Sequence, residues 1–316
     1  MSGAEPDDAA WQPVTETLDD LVPAGAAAAL HGLLDAEGPA PSAGDPLPPL
    51  WHWLAFLPRV PQRELGEDGH PRVGTFLPPI GLGRRRMYAG GQFELGGALP
   101  VGATLQRESV VSSVEEKSGR SGSLVFVTVR HELRAPSGSS AGPAAVVEHQ
   151  DLVYRAMPAP PAGGAPAAET TDGGPPDPEA EQDWTWTWTL SPDPTLLFRF
   201  SALTYNVHRI HYDRTYATTA EGYPGLVVHG PLQAVALAEL CRRFLPHRRL
   251  TSFRFRALRP AFDGHALRFC GRLAAAAGAG GPDGGEGEGE AIDLAAIDHE
   301  GHVTMRASAR LIVRAS

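Results

Sequence analysis

Residues 157–183, MPAPPAGGAPAAETTDGGPPDPEAEQD, are dense in proline, glycine and alanine and show no apolar period, so they cannot form a packed element. A chain of 316 residues interrupted in this way has to fold as two bodies of ordinary domain size, each with its own core. The expected division is an N-terminal domain over 1–156, a disordered linker over 157–183 and a C-terminal domain over 184–316. Two similar but shorter stretches, 135–145 and 274–290, lie between strand-like segments and read as long, unstructured hairpin loops.

What flanks these interruptions is mostly strand. Trp184, Trp186 and Trp188 alternate with Thr185, Thr187 and Thr189, which puts three indoles on one strand face for core packing. Phe253 and Phe255 alternate with Arg254 and Arg256, and Ala307, Ala309 and Leu311 with Arg306, Ser308 and Arg310. Leu124–Arg130 and Val147–Arg155 supply further strands in the first half. The best helix signal runs from Pro231 to Phe244, where Leu232, Ala236, Leu240 and Phe244 recur at every fourth position. One long helix with several strands per domain is an α+β pattern.

Composition narrows the function classes. The formal charge of −10 argues against a nucleic-acid partner, while leaving room for a local basic pocket that takes an anionic carrier. The acidic start, MSGAEPDDAAW, lacks a basic n-region and an apolar run, and no stretch holds the roughly 20 apolar residues of a membrane span, so a cytoplasmic protein with no membrane partner is expected. Cys241 and Cys270 are the only cysteines, and they have no metal or redox spacing. Both read as core residues, with no metal site.

Chemistry concentrates in Tyr205-Asn206-Val207-His208-Arg209-Ile210-His211-Tyr212-Asp213, the densest cluster of proton-transfer groups in the chain. Histidine exchanges protons near neutral pH, and an adjacent amide can hold a water in line for attack. Downstream, Val228-His229-Gly230-Pro231 places proline at the start of the predicted helix, behind a glycine that admits close approach of a ligand. The N–H groups of such a helix start suit a carbonyl oxygen that gains negative charge. Each feature alone is also compatible with an ordinary loop and an ordinary helix start.

Together, FSALTYNVHRIHYDRTYA at 200–217 and EGYPGLVVHGPL at 221–232 resemble the catalytic segment of the MaoC-like hydratases, and most of all the branch of mitochondrial-type 3-hydroxyacyl-thioester dehydratases and mesaconyl-CoA hydratases. Residues 21–38 and 76–94 are similar to the non-catalytic N-terminal half of that branch. The resemblance implies a double hot-dog fold, two antiparallel sheets each wrapped around one long central helix, here Ala24–Asp35 and Pro231–Phe244. It also implies one active site per chain, in the cleft between the halves, and a homodimer.

In the wider family an aspartate precedes the catalytic histidine by five positions, with an asparagine between them. His211 matches the histidine, but Asn206 stands at the aspartate position and His208 at the asparagine position. An amide orients water without taking its proton, so the ionisable work shifts to His211, with His208 or Asp213 as partner. The implied reaction is reversible hydration of an α,β-unsaturated acyl thioester, foremost mesaconyl-CoA to citramalyl-CoA. The implied catalytic residues are His211, Asn206, Gly230 and His208, and no cofactor is needed beyond the coenzyme A of the substrate. Tyr205, Arg209, His229, Arg254, Arg256 and Arg85 are the candidates for holding a CoA or acyl-carrier thioester, with the run Arg84-Arg85-Arg86 suited to a phosphate or a substrate carboxylate. A dehydratase of lipid or polyketide assembly, a hot-dog thioesterase and a non-catalytic binding subunit are the alternatives.

Overall fold

The structure, a computed structural model, describes residues 11–71, 76–80, 84–119, 122–135, 142–156, 174–274 and 289–313, with backbone alone at 84, 85, 118, 119, 122 and 156. The N-terminal half comprises β1 (Thr15–Leu21), α1 (Ala24–Leu33), β2 (Arg84–Leu95), β3 (Thr104–Gly119), β4 (Gly122–Arg134) and β5 (Val146–Ala156). The C-terminal half comprises β6 (Trp186–Leu190), α2 (Pro194–Thr204), α3 (Arg214–Thr219), α4 (Gly230–Phe244), β7 (Arg248–Ala257), β8 (Leu267–Leu273), β9 (Glu290–Ile297) and β10 (Val303–Val313).

Each half supplies five strands, and the two expected sheets are joined into one ten-stranded antiparallel sheet in the order β1-β3-β4-β5-β2-β7-β10-β9-β8-β6. The seam is the β2–β7 ladder, where Gly90 pairs with Arg256, Gly91 with Phe255 and Phe93 with Phe253. Glycine is required there because a Cβ on Gly90 would come within 2.7 Å of the Phe255 carbonyl oxygen. Aromatic rings close the seam on the helix side, with Tyr88 edge-on to Phe255 at 5.5 Å and Trp53 edge-on to Phe93 at 5.7 Å.

The C-terminal helix α4 is enclosed from Leu232 to Cys241, as a stripe of apolar residues on a sheet-wrapped helix requires. Of the predicted stripe, Phe244 emerges at the helix end, 41% exposed. Glu239, buried within the helix, is neutralised by Arg242 at 2.7 Å and Arg243 at 3.3 Å. The N-terminal helix α1 stops at Leu33, short of Asp35, packs against α2 of the other half, and receives Arg243 of α4 on the carbonyls of Leu34 and Asp35.

Two expectations need correction. The three indoles do not share one strand face: Trp186 and Trp188 pack on the main core, whereas Trp184 precedes β6 and covers Cys270, Ala295, Ile297 and Val303. Nor is 174–183 disordered. Pro178–Glu181 forms a 3-10 turn, and Asp177 anchors it to β10 by accepting the Val303 N–H at 2.7 Å while donating its own to Gly301 at 2.9 Å. The rest of the predicted linker, 157–173, and most of the two hairpin loops lie outside the described residues.

Candidate active site between the two halves

The predicted chemical segment starts where α2 ends. That helix, not foreseen, is nevertheless signalled by Asp193-Pro194: the Asp193 carboxylate accepts the Leu196 N–H at 2.7 Å, and proline occupies the first turn. Tyr205 then adopts a left-handed conformation, φ 49°, and Asn206 Oδ1 accepts the His208 N–H at 3.0 Å, so the chain reverses sharply. Arg209–His211 follow as a 3-10 turn. With three residues per turn, His208 and His211 fall on the same side, their rings 5.5 Å apart.

His211 donates Nδ1–H to the Val227 carbonyl at 2.7 Å. A carbonyl only accepts, so in the neutral ring Nε2 carries the lone pair, the form a general base needs. The ring stacks on His229 at 3.7 Å, and His229 in turn bonds Ser201 Oγ through Nε2 at 2.9 Å. His229 is also the N-cap residue of α4, whose first N–H groups, including that of Gly230, have no partners within the helix. His211 and the unpartnered N–H groups at the start of α4 are thereby tied together through one stacked pair of imidazoles.

Sequence reading missed the contribution of the first half. The loop Glu67-Asp68-Gly69-His70 presses onto the segment: the Asp68 carbonyl accepts the Arg209 N–H at 2.9 Å, and the Glu67 carbonyl accepts Arg209 Nη1 at 3.1 Å. His70 donates Nδ1–H to Asp68 Oδ2 at 2.9 Å, and its ring sits 4.2 Å from that of His208. Gly69, at φ 93°, passes so close to Val207 that a Cβ would lie 2.0 Å from its carbonyl oxygen. From β2, the pairing of Arg86 with Tyr154 and of Tyr88 with Leu152 turns Arg86 to the helix side of the sheet, where its positive charge opposes protonation of both His70 and His208. A lone Asp-Gly-His in a Pro- and Gly-rich stretch gives no sequence signal that distinguishes it from a turn.

Burial governs the protonation of this array. It pushes His211 down to about 4, with His70 adding repulsion, and it pushes His208 and His229 well below their ordinary value too. Burial also lowers His70, opposed by the Asp68 hydrogen bond. All three C-terminal histidines are therefore neutral bases at neutral pH. Because the folded pKa lies below the unfolded value near 6.5, protons favour the unfolded chain: stability is full above that value and falls as pH drops toward 4. His211 alone contributes about 3 kcal/mol to this loss. Urea unfolding at pH 7.5 and pH 5 checks it, with His211→Gln expected to flatten the dependence; a pH-independent midpoint would contradict the neutral array.

Other predicted residues lie elsewhere. Arg209 is engaged by Asp213 at 2.7 Å and by the Tyr216 ring at 4.1 Å, so it fastens the loop, and Asp213 caps α3. Tyr205 is 48% exposed at the helix end. Arg254 and Arg256 alternate with the buried Phe253 and Phe255 and so lie on the sheet face turned away from α4 and the histidines. The Arg85 side chain lies outside the described residues. Among the described residues, the ligand atoms of Asp68, His70 and His208 lie within 4.8 Å of one another, a set a metal ion would accept, as do those of Asp298, Glu300 and His302 at the β9–β10 turn.

The family model for hydroxyacyl-thioester dehydratase type 2 matches residues 50–263, from the Trp51–Leu54 turn through the segment that holds His211 and Gly230. The chain belongs to the hydroxyacyl-thioester dehydratase type 2 family. As a member of it, the protein is a hydro-lyase. It is 42% identical over 302 residues to the mesaconyl-C(4)-CoA hydratase of Chloroflexus aurantiacus, covering 96% of this chain and 97% of the relative. It is 44% identical over 82 residues to the mitochondrial hydroxyacyl-thioester dehydratase type 2 of Schizosaccharomyces pombe, 25% of this chain and 27% of that one. Among solved structures, a MaoC-like dehydratase superposes with a TM-score of 0.62 at 14% identity, covering 96% of this chain and 98% of that one, and HtdX of Mycobacterium tuberculosis with 0.57 at 17% identity, covering 95% and 100%. These give the dehydratase family member its hot-dog fold.

Proposed function

We propose that this hydro-lyase adds water reversibly across the double bond of mesaconyl-C4-CoA to give citramalyl-CoA. The observation that carries the choice of a dicarboxylic acyl group is Arg86, a cation turned toward the histidines that would handle the water. In this substrate the free carboxylate is attached to the carbon that water attacks, so its binding partner has to stand beside the base. The mesaconyl-C(4)-CoA hydratase relative, aligned over nearly the whole chain, supports the same reading.

In this mechanism Asn206 orients a water, His211 Nε2 takes its proton, and the oxygen adds to the β-carbon. The thioester oxygen gains charge as the double bond is displaced, and the N–H of Gly230 at the start of α4 receives it, a contribution of about 3 kcal/mol for one such donor. His229 keeps base and helix start in register. No metal or redox cofactor takes part. The cytoplasm, a homodimer and a lack of membrane or nucleic-acid partners belong to the same proposal. They draw on the family resemblance and the formal charge of −10, and among the described residues no helix is long and apolar enough to cross a membrane.

The test follows loss of the ultraviolet enoyl-thioester band with mesaconyl-C4-CoA, crotonyl-CoA and a longer enoyl-CoA. Mesaconyl-C4-CoA is expected to turn over best, with or without EDTA. Arg86→Gln should raise its KM at least tenfold while leaving crotonyl-CoA nearly unchanged. A preference for the longer chain would instead assign the protein to lipid or polyketide assembly.

A further inference from the structure

Hydration moves two protons, one off the water and one onto the α-carbon. Neither Asn206 nor, among the described residues, any carboxylate hydrogen-bonded to His208, His211 or His229 is there to manage the second. The carboxylate that does reach the array comes from the other half of the chain. Asp68 accepts Nδ1–H of His70 at 2.9 Å, which leaves Nε2 of His70 for proton exchange and places a negative charge behind the ring, the arrangement of a carboxylate-backed catalytic histidine. His70 is 4.2 Å from His208, ring to ring, and His208 is 5.5 Å from His211. The buried Nε2 of His208 has no hydrogen-bond partner among the described residues. Unpaired buried imidazole nitrogens are costly and call for a reason.

We propose that Asp68 and His70 stand in for the carboxylate that Asn206 lacks: His70 exchanges the proton at the α-carbon, backed by Asp68, while His211 exchanges the proton of the water. This rests on the hydro-lyase reading and assigns the acid–base partner within it. In the hydration direction the array enters with its imidazoles neutral and Nδ1–H of His70 on Asp68. A water proton passes to His211 Nε2 as the water oxygen bonds the β-carbon, and the π pair shifts to the α-carbon and thioester oxygen. That proton passes through His208 to His70 Nε2, where the Asp68 carboxylate balances its charge. From there it bonds the α-carbon as the thioester carbonyl re-forms, restoring the start with one water added. The groups facing His70 are Asp68, His208 and Arg86, with His211 beyond; Asp68 favours a proton there, and the others oppose it.

The bland alternative is that Asp68 merely shapes its turn, since its Oδ1 also accepts the His70 N–H at 2.9 Å. Four variants of the full chain separate the two: His70→Gln, Asp68→Asn, Asn206→Asp and the double variant Asn206→Asp with His70→Gln. Each is assayed on mesaconyl-C4-CoA and on crotonyl-CoA. His70→Gln should lower kcat by about 100-fold, the range of general acid–base catalysis, with KM within about threefold and the melting temperature nearly unchanged. Asp68→Asn should lower kcat less and shift the pH profile. Asn206→Asp, whose carboxylate can accept the same His208 N–H, should raise the kcat of His70→Gln at least tenfold, a rescue that a merely structural role for His70 would not produce. A kcat for His70→Gln within threefold of the parent, or a double variant no better than His70→Gln, overturns the proposal. Failure of mesaconyl-C4-CoA with retained crotonyl-CoA turnover would overturn the dicarboxylate reading instead and leave the dyad tested on crotonyl-CoA.

Discussion

His211→Ala is expected to lower hydration by about a thousandfold, within the span of removing a general base, and to leave the protein folded. The size follows from geometry. His211 is buried, and the Val227 carbonyl sets its tautomer so that Nε2 carries the lone pair. Its removal also takes away the ring that stacks on His229, so the start of α4 loses part of its support. Single-turnover measurement with mesaconyl-C4-CoA separates chemistry from binding: the rate constant should fall while the affinity for the saturated analogue stays within about threefold. A variant that keeps a tenth or more of the parent rate would move the base elsewhere in the array.

The second large effect is expected from a residue that performs no chemistry. Gly69→Ala would place a Cβ 2.0 Å from the Val207 carbonyl oxygen, at a backbone φ of 93° that alanine itself resists. The contact cannot be absorbed by a side chain, because both atoms belong to or abut backbone. The loop has to withdraw by about 1 Å or more, and displacement of that order in an active site costs about 100-fold in rate. Steady-state kinetics on Gly69→Ala should therefore show kcat/KM down by two orders of magnitude, with far-ultraviolet circular dichroism unchanged because the sheet does not involve residue 69. Parent-like kinetics would mean that the loop and the segment 206–211 do not depend on each other.

The fold was legible wherever periodicity carries it. The alternation at Phe253 and Phe255, the enclosed stripe of α4 and the strands around Leu124 and Val147 all follow from spacing, because a sheet wrapped on a helix leaves its pattern in each strand. The candidate site was legible only in its C-terminal portion, where His208, His211 and Gly230 lie within a few dozen residues of one another. Asp68, His70 and Arg86 arrive by way of tertiary folding: the β2–β5 register selects which arginine of the run turns inward, and a glycine with positive φ lets the loop approach. Neither is encoded in a local pattern. The same holds for Arg254 and Arg256, whose alternation was plain but whose face depends on where α4 lies.

The β2–β7 ladder has a bearing on how such an enzyme can change. In a symmetric pair of identical hot dogs, every substitution appears twice, so a loop that donates a histidine across the interface must also fit the site of its own copy. Here the hydrogen-bonded seam fixes two unequal halves in one chain. One half is free to keep the turn that carries His208 and His211 and the other to specialise in the groups that face it. A constraint of symmetry becomes a division of labour, and an asymmetric substrate with a thioester at one end and a carboxylate at the other is the kind of molecule such a divided site can tell end from end.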